Sequence, residues 1–172
     1  MTKKETKRGE TKTDKAQKQL RQRLWGGISD EQLWHRDSHN GFTTIPRGLQ
    51  HIMQIMDALS KGKPLSATYF TLWCWVRDAS VVDIKSPAEF AFESGFTGQR
   101  AESTWRERMR LLAALNFIKV EEGRYGPFSH VLIMNPHLAV KRLHDNGKVQ
   151  SIRFNALIAR LEEIGESDLT DN

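Results

Sequence analysis

The 172-residue chain is 38% hydrophobic, with five tryptophans and eight phenylalanines, which is enough to build the core of one domain with flanking extensions. No stretch is long and apolar enough to span a bilayer and the N-terminus lacks the apolar segment of a signal peptide, so neither a membrane partner nor secretion is expected. The net charge of +5 suggests a polyanionic partner only if the charge lies on the folded part, and the single cysteine, Cys74, excludes an internal disulfide.

Most of the excess charge is at the start. Residues 1–23 hold nine Lys or Arg (among them Lys3, Lys12, Arg21 and Arg23) against Glu5, Glu10 and Asp14, a net of +6. With few apolar residues before Leu20, this stretch reads as a disordered or transiently helical basic tail. Such a tail can track phosphates in a salt-dependent way, or simply solubilise the chain. The last twelve residues carry Glu162, Glu163, Glu166, Asp168 and Asp171, a net of −5, and read as an acidic tail. Residues 24–160 are therefore only mildly basic at +4, and this middle is the expected domain.

Trp25-Gly26-Gly27-Ile28 separates the basic tail from that domain. One helical turn is expected over Ser29–Trp34, then a loop to Phe42. Phe42-Thr43-Thr44-Ile45 has short-strand character and ends at Pro46, which suits an edge strand. From Arg47 to Leu59 the apolar residues Leu49, Ile52, Met53, Met56 and Leu59 recur at helical spacing, predicting a core helix. Ser66 to Ala79 is apolar almost all round, through Tyr69, Phe70, Leu72, Trp73, Trp75 and Val76. That predicts a helix buried on several sides, with Cys74 a buried thiol, or else a subunit or partner contact. Val81–Ile84 reads as a further short strand.

The densest run of signals begins at Ser86. Ser86-Pro87-Ala88-Glu89 combines a cap, a proline at the first helical position and a glutamate placed for a capping box. The short helix it starts, through Phe90, Ala91 and Phe92, stops at Gly95. Phe96-Thr97-Gly98 makes a turn, with Thr97 the expected cap of a helix over Gln99–Leu115. Its faces divide at about 100° per residue. Ala101, Trp105, Met109, Leu112 and Leu115 form an apolar back. Gln99, Ser103, Arg106 and Arg110 form the front, with Arg100 and Glu107 at its edge. Arginine pairs bidentately with the major-groove edge of guanine, glutamine with adenine, and serine with either.

Asn116 ends that helix, and Phe117–Val120 has the make-up of a strand. Glu121–Phe128, with Gly123, Gly126 and Pro127, is read as a turn, bringing Arg124 and Tyr125 to a hairpin tip. His130–Met134 is the return strand. Asn135-Pro136 starts a helix to about His144, which Asp145-Asn146-Gly147 ends. Ser151–Ile164 forms a last helix with Phe154, Leu157, Ile158, Leu161 and Ile164 on one face.

Enzyme chemistry is not legible. Lys61-Gly62-Lys63-Pro64 lacks the spacing of a phosphate loop. His35 and His39 stand four apart without a third ligand, so no metal is expected. No nucleophile–base–acid arrangement can be placed, and the histidine-hydrophobe-histidine nickase motif is absent. Neither catalytic residues nor a cofactor are expected.

The order of capped helix, glycine turn, arginine-bearing helix, strand, turn and strand is the layout of a winged helix-turn-helix. The expected fold class is accordingly mainly α with a small β-hairpin, α+β, flanked by N- and C-terminal helices. The segment from Phe90 to Pro136 also resembles winged-helix replication initiators and regulators of plasmids and mobile elements. Gly95-Phe96 precedes the second helix, Leu115-Asn116-Phe117-Ile118 comes after it, and the second strand runs into Asn135-Pro136. Asn116 stands where those initiators have glycine. The resemblance covers about a third of the chain and implies recognition-helix positions for Gln99, Arg100, Ser103, Arg106 and Arg110, and a wing position for Arg124, with Tyr125 beside it. Double-stranded DNA is the expected partner. A homodimer is expected where the apolar helix 66–79 serves as a subunit contact, and the lone cysteine and missing signal segment lead to a cytoplasmic place in a bacterium, nucleoid- or plasmid-associated. Transcriptional regulation is the expected role. The alternatives are a replication initiator or accessory protein, and a protein-interaction adaptor that docks through the aromatic helix 66–79 or the hairpin.

Overall fold

The computed structural model describes residues 11–166 and residue 169; the basic residues before Thr11, and Asp168 and Asp171 of the acidic end, lie outside the described residues. The described chain is α+β, with seven α-helices and one three-stranded antiparallel sheet. It divides into two compact units, Met1–Phe42 and Thr43–Asn172. No described helix is long and apolar enough to cross a membrane.

The first unit contains helix α1, Lys12–Trp25, where composition predicts a disordered or transiently helical tail. None of its residues is buried, so core packing does not maintain it. Thr11 and Asp14 form a reciprocal capping box, the Asp14 amide donating to Thr11 Oγ1 at 3.2 Å and the Thr11 amide to Asp14 Oδ2 at 2.9 Å. Arg21 pairs with Asp30 at 2.6 Å. Two short 3-10 turns come next, Asp30–Gln32 and Arg36–Ser38, with the Trp34 ring stacked on His39 and edge-on to Phe42.

The second unit holds the core. Helix α2, Leu49–Leu59, buries Leu49, Ile52, Ile55 and Met56, close to the expected stripe. Helix α3, Ser66–Trp75, starts where Asp57 Oδ1 accepts the amides of Leu65 and Ser66 at 2.5 and 2.9 Å, which fixes the corner between the two helices. Burial of α3 differs from expectation. Thr68, Tyr69, Thr71 and Leu72 face inward, while Phe70 and Trp75 remain 43% and 42% exposed and Cys74 is exposed as well. The uniform apolar pattern hides this polarity, because the threonines are the residues that turn inward: the Thr71 hydroxyl donates to the Ala67 carbonyl at 3.0 Å and so needs no water, while Thr68 Oγ1 is buried without a hydrogen-bond partner among the described residues.

Strand β1, Val81–Asp83, leads to helix α4, Pro87–Glu93, and helix α5, Ala101–Ala114. Ser86 caps α4 by accepting the Glu89 amide at 3.3 Å, with Pro87 in the first turn. Gly95 at φ 84° provides the left-handed turn after it. Thr97 does not cap α5. The residue before the helix is Arg100, without a side-chain cap, so the turn over Gly98 runs further than expected and leaves Gln99 and Arg100 outside the helix. Asn116 closes α5 at φ 63°. Asparagine adopts this conformation more readily than alanine and less readily than glycine. Asn116→Ala should lower stability by about 1 kcal/mol and Asn116→Gly should leave it unchanged or raised, as read by urea unfolding.

Strands β2, Ile118–Gly123, and β3, Gly126–Ile133, form a longer hairpin than the composition suggests. Glu121 still pairs with His130 and Gly123 with Gly126, so only Arg124 and Tyr125 remain in the turn. A register shift between Glu121 and Gly123, with Glu122 opposite the three residues Pro127, Phe128 and Ser129, absorbs two extra residues on β3, and Gly126 takes φ 109°. The sheet order is β1-β3-β2, with Val81 opposite Leu132 and Val82 opposite Val131. The strand that joins the hairpin at the free side of β3 is thus Val81–Asp83. Phe42–Ile45, expected in that role, forms no strand. It leads straight through Pro46, which has no amide to donate, into α2.

Asn135 caps helix α6, Pro136–Asp145, by accepting the His137 amide at 2.9 Å. Helix α7, Ser151–Ile164, buries Leu157 and Leu161, and the Phe154 ring stacks on His144 at 3.8 Å. Trp105, Tyr69, Phe90 and Phe117 are the largest wholly buried side chains. Burial pushes the Tyr69 phenol up from 10.0 to about 12, the Trp73 indole partly opposing. A raised folded-state value means that this contribution to stability is complete below pH 10 and is lost as pH climbs towards 12. Denaturant midpoints measured from pH 8 upward should fall in that window, and Tyr69→Phe should remove this component of the fall.

Candidate nucleic-acid interface

Helix α5 is held by its back. Trp105, Met109 and Leu112 are wholly buried, and the Trp105 ring meets Phe90 of α4 and Phe128 of β3 at centroid distances of 6.3 and 5.7 Å. This fixes the rotation of the helix about its axis, so the side that faces outward is set by packing. Ser103, Arg106 and Arg110, three and four residues apart, share the outer side; Ser103 and Arg110 are exposed and Arg106 is half-buried.

The sequence-predicted residues differ in what they are free to do. Arg110 is exposed and has no hydrogen bond or ion pair among the described residues, so its donors are uncommitted there. The Ser103 hydroxyl donates to the Arg100 carbonyl at 2.9 Å and keeps only acceptor capacity for an outside group. Gln99 and Arg100 are exposed in the turn before α5, where helical spacing no longer assigns them a face. Arg106 Nε and Nη2 donate to Glu102 Oε1 at 2.9 and 2.7 Å.

The hairpin meets α5 at its turn. A β-carbon on Gly126 would stand 3.9 Å from Arg106 Nη1, which brings the guanidinium beside the residue that ends the two-residue turn. Arg124 lies over the Tyr125 ring at 5.8 Å, and the Tyr125 amide donates to Ser129 Oγ at 3.0 Å while that hydroxyl donates to the Gly126 carbonyl at 2.8 Å. The turn is thereby pinned by a side chain from within its own strand, and Arg124 and Tyr125 are exposed at the tip.

Three further charged residues shape this surface, and of these helical spacing places only Glu107, at the edge of the front. Glu102 binds Arg106, and its spacing of four residues before an arginine is the available signal. Glu107 pairs with Lys63 and, at 3.1 Å, with Arg108; the Lys63 ammonium holds its carboxyl below the usual carboxylate range. Arg108 is 8% exposed and lies over the Phe96 ring at 5.8 Å, a structural cation on the buried side with no pattern in the sequence to mark it. Cys74 is exposed, yet partial burial and the Glu93 carboxylate push its thiol above the ordinary value, which disfavours the thiolate a nucleophile requires. No group of three or more His, Cys, Asp or Glu among the described residues is arranged to hold a metal ion.

No protein-family model matches the chain, and comparison with curated proteins and with solved structures finds no match.

Proposed function

We propose that the chain is a non-catalytic protein that binds double-stranded DNA through a winged helix-turn-helix, with α4 and α5 as the helix pair and the β2–β3 hairpin as the wing. The observation that carries this reading is the order helix, strand, helix, helix, strand, strand closed by a β1-β3-β2 sheet, with the Ser103, Arg106 and Arg110 side of α5 turned outward beside the hairpin turn. A helix with its side chains is about 10–12 Å across and the major groove of B-DNA about 12 Å wide, so α5 fits with its outer face against base edges. Arg110 and Arg106 supply the groups that recognise guanine or phosphate, and Arg124 at the turn reaches the flanking backbone.

The role is transcriptional regulation from the bacterial cytoplasm, on nucleoid or plasmid, since occupying an operator requires no chemistry. A homodimer would set two copies of α5 one helical turn of DNA apart. Initiation of plasmid replication is the next role compatible with the same surface. The exposed Phe70 and Trp75 on α3 favour a second reading, docking of a protein partner there.

The test is a fluorescence-anisotropy titration of the full chain with duplexes from around its own gene and with scrambled duplexes, at two salt concentrations. Preference for one duplex that survives the higher salt supports specific recognition. Equal binding to all that vanishes with salt leaves only non-specific attraction and turns attention to the α3 surface.

A further inference from the structure

We infer that Glu102 is the specificity-setting residue of the α5 surface, a positioning residue that makes Arg106 a reader of guanine and not a clamp for phosphate; this rests on the DNA-binding reading above. A guanidinium has two edges that can form paired hydrogen bonds, one through Nε and Nη2 and one through Nη1 and Nη2. Glu102 Oε1 takes the first edge, accepting from Nε at 2.9 Å and from Nη2 at 2.7 Å. The second edge has no hydrogen-bond partner among the described residues, and its Nη1 lies beside the hairpin, 3.9 Å from where a β-carbon on Gly126 would stand. The guanidinium is therefore held between the first turn of α5 and the hairpin turn with one edge committed. Arg106 is only 26% exposed against 44% for Glu102, so the pair is a half-buried contact and not two solvated chains that happen to meet.

The chemistry of that arrangement is selective. The free end-on edge matches the O6 and N7 acceptors of guanine. A phosphate approaching the same place meets the Glu102 carboxylate beside the arginine, so the pair presents little net positive charge to the backbone. Arg110, one turn further along and without a carboxylate partner among the described residues, is the complementary case: an exposed cation placed to hold phosphate. The face thus separates a charge-balanced reader from an unbalanced anchor.

The experiment uses the full chain and a duplex that the wild-type protein enriches from a randomised pool, compared with the same duplex carrying each guanine in turn replaced. Glu102→Ala should raise affinity for scrambled duplex, steepen the salt dependence by about one counterion, and reduce discrimination at one guanine position by about tenfold. Glu102→Gln keeps an acceptor for Arg106 without the charge, and should restore most of that discrimination while retaining the raised affinity for scrambled duplex. If Glu102→Ala alters neither discrimination nor salt dependence, or weakens both duplexes equally, Glu102 is a helix-stabilising partner alone and the inference falls. If the wild-type protein enriches no sequence, the DNA-binding reading itself fails and takes this inference with it.

Discussion

Replacing Arg106 and Arg110 together by alanine should lower affinity for the preferred duplex by on the order of a hundredfold while leaving the fold intact. Each of these arginines can contribute about 1–3 kcal/mol at a base edge, and less at a phosphate. Stability should hardly move. Arg110 is exposed with no ion pair among the described residues, and Arg106 loses one partly exposed pair with a residue four positions away, worth about 0.3–0.5 kcal/mol. The single variants should differ in kind. Arg110→Ala weakens all duplexes alike and flattens the salt dependence by about one counterion, whereas Arg106→Ala relaxes sequence preference. Anisotropy titrations over a salt series, with circular dichroism as a check on folding, measure all of this. An unchanged affinity in the folded double variant would remove the α5 surface from consideration and leave docking at α3.

The second large effect is on stability. Trp105→Ala should cost about 3–5 kcal/mol, a large part of the roughly 5–15 kcal/mol typical of a domain. Trp105 is wholly buried and lies between Phe90 of α4 and Phe128 of β3, so its removal opens a cavity where the helix pair meets the sheet. Urea unfolding followed by circular dichroism should give this loss, and duplex binding should weaken with it because α5 loses the contact that fixes its rotation. Trp105→Phe should cost far less. The phenyl ring fills much of the space, and the indole Nε1 that it removes is buried without a hydrogen-bond partner among the described residues. A Trp105→Ala variant as stable as the parent would mean that this junction does not organise the fold.

The features legible in the sequence are local ones. Ser86, Pro87, Gly95 and Asn116 mark helix ends through single-residue chemistry, and each sits where its chemistry requires. The apolar back of α5 is equally legible, because 3.6-residue periodicity depends only on the segment itself. Strand partners depend on segments far apart, and there composition misleads: Phe42–Ile45 and Val81–Asp83 look alike, and only the second pairs with β3. The hairpin turn is narrower than composition predicts for the same reason, since the pairing of Glu121 with His130 overrides a residue type that avoids strands. Cys74 and Trp75 read as buried because apolar composition does not say which side of a helix meets the core. At the candidate site the outward cations are legible, and of their restraints only the four-residue spacing of Glu102 from Arg106 leaves a signal. Glu102 and Glu107 decide which arginines are free, and that depends on side-chain geometry.

The position of β1 bears on how the chain reaches this state. The α4–α5 pair and the β2–β3 hairpin are formed by neighbours in the chain, whereas Val81 meets Leu132 only after both of those have been bridged. Closing that loop has the larger entropic cost, so the helix pair and the hairpin can assemble first and the three-residue β1 strand joins them into one cooperative body. On an emerging polypeptide, β1 leaves the ribosome before its partner exists. The segment must therefore wait unpaired, and its shortness, with Asp83 at its end, limits how well it can pair with a strand of another chain in the meantime.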